Sequence, residues 1–140
     1  DCPLGVDIEK VQPVERGMYE LCLTSQERQQ LEQASTPPER RFVQLWTMKE
    51  SFGKLRGDGL NCGFQRFQAE PLEGNPCCSV ICHAQTGQPC ANAVTQPVGE
   101  DYCLSACVPP ERALRSVVTV PVTLADMEPW TAQPKPARWL

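Results

Sequence analysis

Histidine is almost absent from this chain: His83 is the single one among 140 residues, so Ser-His, Cys-His or histidine-metal chemistry can run only through that side chain. Its neighbours Cys82 and Ala84 do not form an activated-nucleophile setting. No glycine-rich phosphate loop and no recognised metal-ligand spacing is present, which removes the motif-bearing nucleotide and zinc classes. No apolar run approaches the length of a membrane span. Thirteen Lys and Arg are dispersed among seventeen Asp and Glu, so the net charge of −4 makes no basic stripe and a nucleic-acid role has no electrostatic footing. Asn-x-Ser/Thr acceptors are also missing, because Asn61, Asn75 and Asn92 lead into other residues; this favours a bacterial periplasm over a glycosylating pathway. The start Asp1-Cys2-Pro3-Leu4 shows neither basic residues nor an apolar leader and reads as the mature end of an exported protein.

Cysteine, by contrast, is abundant. There are nine: Cys2, Cys22, Cys62, Cys77, Cys78, Cys82, Cys90, Cys103 and Cys107. That density predicts an oxidising compartment, with four intramolecular disulfides and one leftover thiol. Cys77 and Cys78 are adjacent and bridge each other only with strain, so they are expected to reach different partners; spacing alone assigns no connectivity.

Local signals outline an α+β fold in which an N-terminal helix pair packs on a small antiparallel sheet, stabilised by disulfides. Thr24-Ser25-Gln26-Glu27 has the form of a capping box and opens a helix to about Ala34. Thr36-Pro37-Pro38-Glu39 has the same form and opens a second helix, expected from Pro38 to about Phe52 with a stop at Gly53 and with Phe42, Leu45, Trp46 and Met48 or Phe52 on its buried face. Asp1 to Glu20 reads as a lead-in strand or loop, and Leu60 to Gln68 as a strand. Leu114 to Leu124 alternates most cleanly of all, with Pro121 consigning its second half to a sheet edge. Ala91 to Glu100 carries no core pattern. The domain boundaries follow: residues 1–127 as one disulfide-rich domain and 128–140 as a tail rich in Pro and Trp.

By elimination, these features predict a secreted or periplasmic protein that is not an enzyme and acts by binding another protein, as an inhibitor, an immunity-type protein or an assembly subunit, with no cofactor, nucleic acid or transmembrane segment. The expected contact residues are the turn Arg56, Gly57 and Asp58, the edge strand at Val120 and Val122, and the tail residues Trp130 and Trp139. Two alternatives stand beside it. Cys78-Ser79-Val80-Ile81-Cys82-His83 resembles the haem c attachment site with one extra residue, which makes Cys78, Cys82 and His83 the haem-holding set of an electron carrier. The other is a small hydrolase built on a carboxylate pair, although among seventeen acids no spacing singles one out.

Overall fold

The computed structural model describes residues 2–120, apart from the side chains of Leu60 and Cys62. A strand, β1 (Gly5–Lys10), leads into three helices, α1 (Arg16–Cys22), α2 (Ser25–Gln33) and α3 (Pro38–Arg56). Two 3₁₀ turns, Gly59–Cys62 and Phe64–Arg66, then deliver the chain to β2 (Phe67–Leu72), β3 (Asn75–His83), β4 (Pro89–Val98) and β5 (Tyr102–Val108). The last four strands form an antiparallel meander, and β1 closes onto its far side, giving the order β1-β5-β4-β3-β2. β1 is therefore an edge strand, paired with β5 in the register Gly5 to Cys107, Asp7 to Ser105 and Glu9 to Cys103.

Helix α3 lies across one face of the sheet and organises the core. Phe42, Val43, Leu45, Met48 and Phe52 are buried beneath it or against α2, and Leu23, Phe67, Ala69, Ile81, Ala91 and Ala93 complete the cluster. Small residues on the sheet let the helix approach closely. The Thr47 hydroxyl stands 2.7 Å from Ser105 Oγ, which is itself 2.7 Å from Thr95 Oγ1, and Ser51 Oγ is 3.0 Å from Cys107 Sγ. The tightest point is Gly5, where a Cβ would lie 1.9 Å from the Ser51 carbonyl oxygen. Only a residue without a side chain fits there. Behind the sheet, the segment after β5 crosses the other face, where the Asn92 amide donates to the carbonyls of Pro110 and Arg112 at 3.0 and 2.7 Å.

Several expectations are corrected. The disulfide-stabilised fold is not what holds this chain together: among the described residues Cys2, Cys22, Cys77, Cys78, Cys82, Cys90, Cys103 and Cys107 are free thiols, and Cys22, Cys103 and Cys107 sit in the apolar cluster as small hydrophobic residues. In place of a helix pair on a small sheet there are three helices and a leading strand on a five-stranded sheet. Residues 2–20 contain β1 and the start of α1. Of residues 91–100, which showed no core pattern, 91–98 belong to a central strand whose Ala91 and Ala93 are fully covered, and 99–100 turn; alanine fits under a close helix where larger residues cannot. Leu60 to Gln68 is mostly 3₁₀ turn, and residues 114–120 form no strand, with Val118 and Val120 exposed; 121–124 lie outside the described residues. The Thr24 box is present in full, whereas α3 starts without a side-chain cap at Pro37 and runs past Gly53 to the left-handed Gly57. Gly53 is a close-packing position inside the helix, not its stop: a Cβ there would meet the Gly59 carbonyl oxygen of the 3₁₀ turn at 2.7 Å.

Candidate active site

A strand alternates its side chains, so Val6 and Ile8 face one way while Gly5, Asp7 and Glu9 face the other. Partition of apolar from polar groups would turn the valine and isoleucine inward, and here the reverse holds. Asp7 is 7% exposed beneath α3, while Val6 and Ile8 are 40% and 49% exposed. A carboxylate held on the buried face of an edge strand is costly unless it is paired or used.

The partners come from α3. Glu50 and Lys54 stand four apart, one above the other on the face of α3 turned toward β1. Lys54 Nζ donates to Asp7 Oδ1 at 2.6 Å. Asp7 Oδ2 and Glu50 Oε1 are both buried and have no hydrogen-bond partner. The three acids feel one another: the Glu50 carboxyl is raised above its ordinary range first by burial and then by the charges of Asp7 and Glu9, against the lowering effect of Lys54. Lys54 is held above the ordinary lysine range chiefly by its hydrogen bond to Asp7, with Glu50 and Glu9 adding to it, so it is a cation at neutral pH. The close approach at Gly5 sets this distance, because Ser51, whose carbonyl abuts Gly5, is the residue after Glu50.

What can such a group do? Two orphaned buried carboxylate oxygens, with a third acid beside them, suit a hard divalent cation. No three His, Cys, Asp or Glu side chains among the described residues close into a cage by themselves. That fits an ion of the Mg²⁺ kind, which uses one or two carboxylates and completes its shell with water and the phosphates of a substrate. Asp7 and Glu50, whose free oxygens are buried, are the residues that fit it, with the charge of Glu9 close enough to act on Glu50. The site lies at the sheet's edge strand, and the concavity of about 670 Å³ beside Thr24, Arg28, Gln65 and Gln68 is lined by none of the three acids.

The residues singled out from sequence lie elsewhere. Arg56 and Asp58 flank the left-handed Gly57 at the end of α3 and pair with each other at 2.7 Å, and the Arg56 guanidinium lies over the rings of Phe52 and Phe67. Val120 is exposed, and Val122, Trp130 and Trp139 lie outside the described residues. On β3 Cys78 and Cys82 are buried, and His83 turns to the opposite face, edge-on to Phe67. The acids were missed because their signal is distributed: Gly-x-Asp-x-Glu on a strand and Glu-x-x-x-Lys on a helix are each unremarkable until pairing unites them.

Comparison with known proteins agrees with this placement. The pattern of the 4'-phosphopantetheinyl transferase superfamily matches residues 3–107, a span that contains Asp7, Glu9, Glu50 and Lys54. The 4'-phosphopantetheinyl transferase psf-1 of Bacillus pumilus is 40% identical over 76 residues, covering 52% of this chain and 32% of that protein. The 4'-phosphopantetheinyl transferase ffp of Bacillus subtilis is 38% identical over 66 residues, or 46% and 30% of the two chains. The match thus spans about a third of each curated relative's length. In fold, the chain is similar to the holo-[acyl-carrier-protein] synthase of Neisseria meningitidis, with a TM-score of 0.65 at 17% identity over 78% of this chain and 98% of that one. The corresponding synthase of Thermotoga maritima gives 0.63 at 19% identity over 79% and 64%.

These findings overturn the expectation of a non-enzymatic binding protein, inhibitor or assembly subunit, together with the haem-carrier and hydrolase alternatives, since the matching family is one of transferases. The secreted or periplasmic placement falls with it, because it rested on reading the cysteines as disulfides. No helix among the described residues is long and apolar enough to cross a membrane. On a match that takes in most of its length and all four residues of the carboxylate site, this chain belongs to the 4'-phosphopantetheinyl transferase superfamily.

Proposed function

We propose that this chain carries the catalytic carboxylates of a transferase that moves a 4'-phosphopantetheinyl group onto a carrier protein. The observation that carries the reading is the coincidence of the family match with the buried, unpartnered oxygens of Asp7 and Glu50. The transferred group is a phosphate ester, so its donor must present it on an activated phosphorus, and negative charge builds on the phosphates as the acceptor attacks. A divalent cation held by Asp7 and Glu50, with Glu9 nearby, would neutralise part of that charge.

The chain's own residues have defined parts. Asp7 is held in place by Lys54, which fixes one oxygen and leaves the other directed at the site. Glu50 holds its proton to higher pH than an ordinary glutamate, so the carboxylate that would hold a cation becomes available only as pH rises past that raised value. Lys54, half exposed, offers a second positive charge where phosphate oxygens arrive. β1 lies at the rim of the sheet, so a protein as large as a carrier domain can approach from that edge.

The test is transfer of a fluorophore-tagged phosphopantetheinyl group from coenzyme A, which holds it through a phosphoanhydride, to an apo carrier protein, followed by gel fluorescence. The wild-type chain should label the carrier only with Mg²⁺ or Mn²⁺ present. Asp7→Asn and Glu50→Gln should each lower kcat by at least about a hundredfold, the scale of losing a preorganised electrostatic contact to the transition state. Labelling that survives both substitutions would sink the assignment of the acids.

A further inference from the structure

We propose that the buried Glu27–Lys49 ion pair is a positioning device that fixes the rotation of α3 and thereby aims Glu50 at Asp7 and Glu9. The proposal builds on the carboxylate site, and on the transferase reading only where turnover is measured. Glu27 is fully buried and Lys49 is 1% exposed, with Nζ 2.5 Å from Oε2. Lys49 also donates to the carbonyls of Cys22 and Phe64, both at 2.9 Å. Glu27 in turn accepts from the Thr24 amide at 2.9 Å and from the Ala69 amide at 3.0 Å. One pair of side chains therefore joins the end of α1, the cap of α2, the turn before β2 and β2 itself to a single position on α3.

That position is the residue before Glu50. Neighbouring helical residues point about 100° apart, so Lys49 anchors the side of α3 toward α1, α2 and β2 while Glu50 looks toward β1. Across the helix, Thr47 and Ser51 fasten α3 to Ser105 and Cys107. With both sides held, the helix cannot turn without breaking directional bonds. Stability alone does not account for the pair, since a buried ion pair gains little over apolar side chains of equal volume, and its best-attested use is to fix register. Apolar contacts slide, whereas a lysine bonded to separate elements does not. Catalytic groups need to be held within about 0.5 Å and 10–20° of their working geometry, a range that a small rotation of α3 exceeds at the tip of Glu50.

The experiment uses the full chain with both charges removed together, Glu27→Gln with Lys49→Met, so that no buried charge is left alone. Folding is followed by circular dichroism and Tm, and Mn²⁺ affinity by calorimetry on metal-free protein. We expect a folded double variant whose Mn²⁺ affinity is about tenfold or more weaker, the scale seen when the groups that orient metal ligands are lost. Its kcat should fall in parallel while KM for the carrier protein holds. A folded double variant that binds Mn²⁺ like wild type overturns the proposal. Should the double variant fail to fold, Lys49→Arg, which keeps the charge and displaces the donors, decides in the same way: weakened Mn²⁺ binding in a folded protein supports the proposal and unchanged binding overturns it. A wild-type chain that binds Mn²⁺ yet transfers nothing defeats the transferase reading and leaves the Mn²⁺ comparison to judge the ion pair. A wild-type chain without Mn²⁺ affinity overturns the positioning proposal, and transfer activity then judges the other.

Discussion

Gly5 owes its place to its lack of a side chain. A methyl group there meets the Ser51 carbonyl oxygen at 1.9 Å and the Leu55 amide nitrogen at 2.7 Å, both backbone atoms that cannot swing aside. Gly5→Ala should therefore destabilise the protein by at least about 1–3 kcal/mol, as overpacking of a closed core does, and should push Asp7 away from Glu50. Gly17, in α1, leaves open space where a methyl would sit, with no atom within 4 Å, and Gly17→Ala should instead stabilise by roughly 0.4–1 kcal/mol through the unfolded chain. Urea titrations of the two variants should move in opposite directions. A second residue-scale prediction concerns Glu50, whose carboxyl is raised above its ordinary value of 4.5. Between that value and its higher folded value, the native state binds more protons than the unfolded one, so stability falls as pH rises through the window and stays lowered above it. Glu50→Gln in EDTA should raise Tm at neutral pH, and the gain should vanish below pH 4.5. A gain that is equal at all pH values would refute the electrostatic account.

Among the elements, α2 and α3 begin differently, and the contrast can be measured. Thr24 accepts from the Glu27 amide while the Glu27 carboxylate accepts from the Thr24 amide, so both halves of the box are made. Thr36 has the same sequence context, yet α3 starts beyond it with no side-chain cap, and Pro38 occupies the first helical position where no donor is required. Thr24→Ala should cost about 1 kcal/mol. Thr36→Ala should stay within about 0.5 kcal/mol of wild type. Equal effects in chemical denaturation would mean that the buried Glu27 network, rather than the cap hydroxyl, starts α2.

For the whole molecule, the buried cysteines among the described residues act as packing residues. Cys22, Cys103 and Cys107 are buried in the cluster under α3, and burial pushes the Cys107 thiol up to about 12 against a smaller lowering by Ser51. Tm should be the same with and without a reductant, and a thiol reagent should label the exposed Cys2 and Cys77 before Cys107. A large drop in Tm on reduction would restore the disulfide scaffold.

Local chemistry was legible where it is local. Thr24 to Glu27 opens a helix because cap and amide lie within one turn, and the periodic apolar residues from Phe42 to Phe52 had to be buried on one face. Even the shared face of Asp7 and Glu9 follows from the period of a strand. Which face turns inward does not, since the apolar pattern of β1 argues for Val6 and Ile8, and only the seating of α3 over Gly5 and the Lys54 contact place the acids beneath the helix. The bonding state of nine cysteines is equally out of reach of a count, because a disulfide requires two Cβ atoms to meet. Residue order determined where the helices could begin and which acids could share a strand face. The pairing of β1 with β5, strands about a hundred residues apart, and the seating of α3 on β1 decided that Asp7, Glu9, Glu50 and Lys54 form one site, because strand pairing and helix seating join residues whose separation in sequence carries no periodic signal.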